Sequence, residues 1–105
     1  MLKDDKILNR IKDIVNQTNP NTEVFLYGSR ARGTAKADSD WDVLILLNSD
    51  KLTFDLEKSF IDNLYEIIIE TGEVISPLVF TKNEWNGKYR ITPLFENIQK
   101  EGIRL

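Results

Sequence analysis

Two aspartates, Asp40 and Asp42, stand two residues apart where the chain enters an apolar run. In an extended strand such residues point to one face about 6 to 7 Å apart, so their carboxylates can converge on one site. Like charges held that close favour a positive partner between them. The chain contains no histidine and no cysteine, so the natural counter-charge is a hard divalent cation such as Mg²⁺, which takes oxygen ligands. Taken alone, Asp38, Asp40 and Asp42 read equally as solvated turn residues, and the surrounding sequence must decide. A calcium loop of the EF-hand kind fails: counted from Asp38, the position that requires Gly is Val43 and the one that requires Glu is Ser49.

A second group of residues supplies that context. Gly28-Ser29 follows directly on the apolar run Val24-Phe25-Leu26-Tyr27 and opens Arg30-Ala31-Arg32, a segment that can turn helically and aim backbone N–H groups at one point. Such a point suits a phosphate. Gly28 lets the backbone approach it, the Ser29 hydroxyl can donate to it, and Arg30, Arg32 or Lys36 can add charge. A lone Gly-Ser is a commonplace turn. A phosphate cradle ending one strand, ten intervening residues and a carboxylate pair on the next strand together provide for the anion and the metal of a nucleoside triphosphate.

The elements that must position these groups are legible as hydrophobic patterns. Ile7, Leu8, Ile11, Ile14 and Val15 predict a helix over residues 4 to 16, stopped by Asn19-Pro20-Asn21. Residues 24 to 27 and 43 to 47 read as buried strands, the second without polar alternation. Residues 33 to 40 form a polar loop between them. Leu56, Phe60, Leu64, Ile67 and Ile68 mark a second long helix, with Gly72 as its left-handed cap. Residues 74 to 80 read as a third strand, which Pro77 confines to an edge or a bulge. Thr92-Pro93 starts a last helix that Gly102 ends. The order predicts an α/β (α+β) fold over residues 1 to 105, a single small domain with helices packed on a short sheet.

Composition narrows the chemistry further. Among 105 residues, the absence of cysteine and histidine excludes disulfides, Cys/His zinc sites, thiol nucleophiles and histidine bases. The net charge of −3 argues against bulk nucleic-acid binding. No stretch approaches the ~20 apolar residues of a membrane span, and the polar start, with no signal-like run, leads us to expect a cytoplasmic protein. Lys3, Lys6, Arg10 and Lys12 read as the solvated face of the first helix. Trp41, between the aspartates, should face away from them and pack, nucleobase stacking being the alternative. Trp85 and Tyr89, in the polar stretch of residues 82 to 90, read as a packed loop or, less readily, as a recognition surface.

The segments Leu26-Tyr27-Gly28-Ser29-Arg30-Ala31-Arg32-Gly33 and Ser39-Asp40-Trp41-Asp42-Val43-Leu44 resemble the signature of the polymerase-beta-type nucleotidyltransferases, minimal nucleotidyltransferase branch. The resemblance implies that family's fold, with a short mixed sheet, Gly28 and Ser29 on the triphosphate of a nucleotide such as ATP, and Asp40 and Asp42 as Mg²⁺ ligands. It implies transfer of a nucleoside monophosphate to a hydroxyl. It also implies an antitoxin role in which the acceptor lies on a HEPN-family toxin partner. Active members usually carry a third carboxylate on the next core strand. Here that strand has no acid, and Glu73 and Glu70 are the nearest candidates; Glu73 can share the face of Ser76 only through a bulge. The alternative reading is a catalytically impaired module of the same fold that acts by binding a protein partner.

Overall fold

A computed structural model describes residues 3 to 105, with side chains from Lys6 onward; the polar start at residues 1 to 5 and the outward placement of Lys3 lie outside the described side chains. The polar-free run at its centre explains the architecture. Strand β2 (Trp41–Leu47) is sandwiched between β1 (Glu23–Tyr27), antiparallel to it, and β3 (Ile75–Thr81), parallel to it. A strand covered on both faces has no solvent side and no reason to alternate. Val43 to Leu47 are accordingly no more than 5% exposed.

The mixed sheet has the order β3-β2-β1-β4. Helices α1 (Lys3–Thr18) and α3 (Phe54–Thr71) cover one face. There Ile11, Val15, Phe60, Leu64 and Ile67 pack on Val24, Leu26, Val43 and Ile45. The other face carries Phe25, Leu44 and Leu46 against Trp85 and Ile98. Parallel strands require a crossover, and α3 provides it. Thr53 caps its start by accepting the Leu56 N–H, and Gly72 ends it at φ 74° with its N–H on Ile68 O, as the pattern predicts.

Pro77 sits on an edge strand, opposite Val43, and the pairing from Trp41↔Ile75 to Leu47↔Thr81 runs without a bulge. The stretch after it departs from the expectation of a loop. Residues Lys82–Asn86 form a helix, α4, whose Thr81 side chain accepts the Glu84 N–H while Glu84 reaches back to the Thr81 N–H. This capping box swings Trp85 into the second core, 2% exposed, with ring centroids 5.8 Å from Phe80 and 5.1 Å from Phe95. Packing, rather than recognition, is the structural role of Trp85. Helix α5 (Pro93–Glu101) starts at the Thr92 cap. A two-residue strand, β4 (Ile103–Arg104), then pairs with Phe25 and Leu26 of β1; it is too short to leave a pattern.

Candidate active site

At the end of the sheet where β1 runs into Gly28, three strands bring polar residues to one face. Asp42 on β2 lies opposite Tyr27 on β1 and Ser76 on β3. Asp40, just ahead of the strand, accepts a hydrogen bond from the Ser76 hydroxyl at 3.0 Å through Oδ2. Gly28 has φ 74° and ψ −158°, a region reserved for glycine. A Cβ there would stand 2.4 Å from Asp42 Oδ2. Glycine is therefore required twice over, by the backbone and by the carboxylate beside it.

The Gly28 carbonyl accepts the N–H groups of Ala31 and Arg32, both at 3.1 Å, and so winds the four-residue helix α2 (Ser29–Arg32). Ser29 opens this turn next to Gly28. Gly33, at φ 77°, closes it with its N–H on Ser29 O. Arg32 points from α2 to α5, where one guanidinium nitrogen donates to both carboxylate oxygens of Glu101 at 3.1 and 3.2 Å. Its charge also reaches Asp42.

The electrostatics of the pair are unbalanced. Burial pushes the Asp42 carboxyl above its ordinary range, the Asp40 charge adds to that shift, and Arg32 opposes it. Burial, and after it the Asp42 charge, pushes the Tyr27 phenol up as well. Among the described residues no three acids, histidines or cysteines gather in a metal-binding cluster. Mg²⁺, however, is commonly held by one or two carboxylates, with waters and substrate phosphates completing the shell. The donor set here is two carboxylates beside Gly28, and it fits that pattern.

The structure does not bring the other candidates to this face. Glu73 lies beyond the start of β3 on the far side, where Trp41 Nε1 donates to its Oε2 at 3.2 Å and Arg30 approaches the same oxygen at 3.6 Å. Arg30 is bound up in the same cluster. Its guanidinium lies 4.2 Å over the Trp41 ring and donates to Ser39 O at 2.9 Å and Ala37 O at 3.3 Å, bracing the turn that presents Asp40. Glu70 is exposed on α3 and pairs with Arg10 at 2.8 Å. Trp41 is core, as alternation predicts. Ser76, Tyr27 and Glu101 join the site without having been singled out by their spacing; their signal lies in strand register and helix packing, which a motif does not encode.

A family model for a nucleotidyltransferase domain matches residues 8 to 101. A search of curated proteins finds no significant match. Among solved structures, the chain is similar to one described as a toxin-antitoxin with AMP-PNP, with a TM-score of 0.61 and 16% identity over 98% of this chain and 72% of the other. It is also similar to a toxin-antitoxin MntA-HpeT carrying two aspartate-to-glutamate exchanges (TM-score 0.60, 16% identity, 98% and 72% covered). A third, MntA-HpeT with a tyrosine-to-alanine exchange, gives 0.59 and 18% over 100% and 72%. At these identities the likeness is one of fold. The match of the family model over nearly the whole chain goes further: this chain belongs to the nucleotidyltransferase domain family.

Proposed function

We propose that the chain is an Mg²⁺-dependent nucleotidyltransferase that moves a nucleoside monophosphate, AMP from ATP, to a hydroxyl on a protein partner. The observation that carries this reading is that Asp40 and Asp42 lie close enough for their charges to interact, beside a glycine whose Cα packs so near the Asp42 carboxylate that no side chain fits. Asp40 and Asp42 would hold the metal, which when bound neutralises triphosphate charge and makes the attacking hydroxyl more acidic.

The chain's own residues do the rest. The backbone of Gly28 and Ser29 lies at the mouth of the α2 turn, where phosphate oxygens can accept N–H donors. Ser76 fixes the orientation of Asp40 through its hydroxyl. Arg32, whose charge is felt at Asp42, would supply charge to the triphosphate, and to do so it must exchange Glu101 for phosphate oxygens. Arg30 and Glu73 hold the loop that carries Asp40. A toxin as the acceptor-bearing partner accords with the assemblies in which the similar folds were solved.

One observation favours a second reading. The β3 residue opposite Asp42 is Ser76, where a third carboxylate would help activate the acceptor, and Glu73 faces Arg30 and Trp41 instead. A module with this site could bind nucleotide and partner without transferring. Pyrophosphate release from ATP and Mg²⁺ in the presence of the partner separates the two. Release abolished by Asp42→Ala establishes transfer; no release, with partner binding intact in wild type and variant, establishes the binding module.

A further inference from the structure

Helix α3 has two apolar sides. Phe60, Leu64 and Ile67 are consumed by the core. With about 100° between successive residues, Phe54, Ile61, Tyr65 and Ile69 fall within about 80° of arc on an outward side, an arc that also holds Lys58. They are 77, 47, 57 and 70% exposed. A helix packed on a sheet normally turns polar residues outward, and exposed apolar side chains gathered on one side, here with Lys58 between Phe54 and the other three, mark a candidate interaction site.

The next arc around the helix is acidic. Asp55, Asp62, Glu66 and Glu70 lie along one flank of the stripe, and Lys58 is the helix's sole basic residue. Lys58 pairs with Asp62 at 2.6 Å, and Arg10 of α1 pairs with Glu70 at 2.8 Å. The chain connects the end of this helix to the strand beside the candidate site. Beyond Ile69 the chain turns at Gly72 to Val74, itself 47% exposed, whose carbonyl accepts the N–H of Trp41 at 2.8 Å, the residue between the two aspartates.

We infer that this face of α3 docks an amphipathic helix of a protein partner, one with an apolar ridge and lysines or arginines along one flank. The inference rests on the proposed function and deepens it by naming the face that receives the partner. Charge selects the occupant. A second copy brings another net charge of −3 and, packed antiparallel on the same stripe, sets two acidic flanks side by side, a repulsive arrangement. A basic flank is drawn to the same acids. Docking here leaves Asp40 and Asp42 uncovered, because Asp42 lies on the opposite face of the sheet from α3, and it brings the partner to the edge of the site at Val74.

The test uses two 18-residue stapled helical peptides with leucines at the spacing of the stripe, one with lysines and one with glutamates along a flank, titrated by fluorescence anisotropy into the full chain. The lysine peptide should bind saturably, weaken at least tenfold on Ile69→Asp and on Glu66→Lys, and weaken with added salt; the glutamate peptide should not bind. Both substitutions are at exposed positions, and thermal melts verify the fold. Retained binding by the Asp40→Ala, Asp42→Ala variant keeps this result independent of the catalytic reading. No saturable binding, equal binding of the two peptides, binding indifferent to Ile69→Asp, or a wild-type dimer in sedimentation that Ile69→Asp dissociates would each overturn the inference.

Discussion

On the two sides of Trp41 the molecule handles acidic side chains in opposite ways. On one side, Asp42 is half-buried with Asp40 as its neighbour, and Arg32, the cation that reaches it, is shared with Glu101. On the other, Glu73 accepts from Trp41 and faces Arg30, with both charged side chains only 11 to 12% exposed. The Glu73 cluster is internally balanced and fixes a loop. Among the described residues the charge of Arg32, shared with Glu101, is the cationic influence on the aspartate pair, and the Asp42 carboxyl stays raised above its ordinary range. That difference separates the carboxylates proposed to hold a cation from the one that is tied into the loop by Trp41 and Arg30.

The contrast can be broken most severely at Gly28. Gly28→Ala places a Cβ against Asp42 Oδ2 at 2.4 Å and holds a side chain at φ 74°. It should cost about 1–3 kcal/mol in strain and lower Mg²⁺-dependent nucleotide affinity by about a hundredfold or more, as nucleotide titration beside a thermal melt will show; unchanged affinity would mean that Gly28 does not border the nucleotide. On the balanced side, Glu73→Ala leaves Arg30 buried without its carboxylate. Removing one partner of a buried pair costs about 3–5 kcal/mol, and somewhat less is expected here, since Arg30 keeps its bonds to Ser39 and Ala37. The double variant with Arg30→Ala should lose less than the two single losses together, a coupling that chemical denaturation measures.

The smallest effect has the opposite sign. Because the folded state raises the Asp42 pKa, the native protein holds that proton more readily than the unfolded chain. Stability from this group is therefore present at low pH and is lost as pH rises from the unfolded value of 3.8 through the higher folded one. Asp42→Asn should consequently melt a few degrees higher than wild type at pH 7, 1 kcal/mol being worth about 4–8 °C at this size, and the gap should close near pH 3. Added Mg²⁺ should raise the wild-type melting temperature and leave the variant unmoved. A variant that melts lower at pH 7 would show that Asp42 is a framework residue like Glu73.

Much of the fold was legible because local signals agreed with tertiary demands. The unalternating run of residues 43 to 47 became the central strand, Gly72 took the left-handed cap, and Pro77 fell on the edge strand. Helix α4 had a readable sign in Thr81 and Glu84, a capping box masked by the polar composition around it. Strand β4 had none, since two residues gain strand geometry only from β1, far away in the sequence. In the site, Gly28, Asp40 and Asp42 are set by short-range spacing and are brought together. The surroundings of Glu73 depend on Arg30 and Trp41, distant along the chain, and no spacing rule reports them. Arg30 reads as a phosphate ligand by its place in the motif, yet the aromatic ring beneath it and the carbonyls of Ala37 and Ser39 claim its guanidinium.

The central claim is that the aspartate pair takes a cation together with a nucleotide. Calorimetric titration of ATP into the protein with and without Mg²⁺, repeated on Asp40→Ala, Asp42→Ala, tests it directly. Saturable binding that requires Mg²⁺ and disappears in the double variant is the expected result; binding that persists unchanged in the variant, or no binding by the folded wild type, would contradict it.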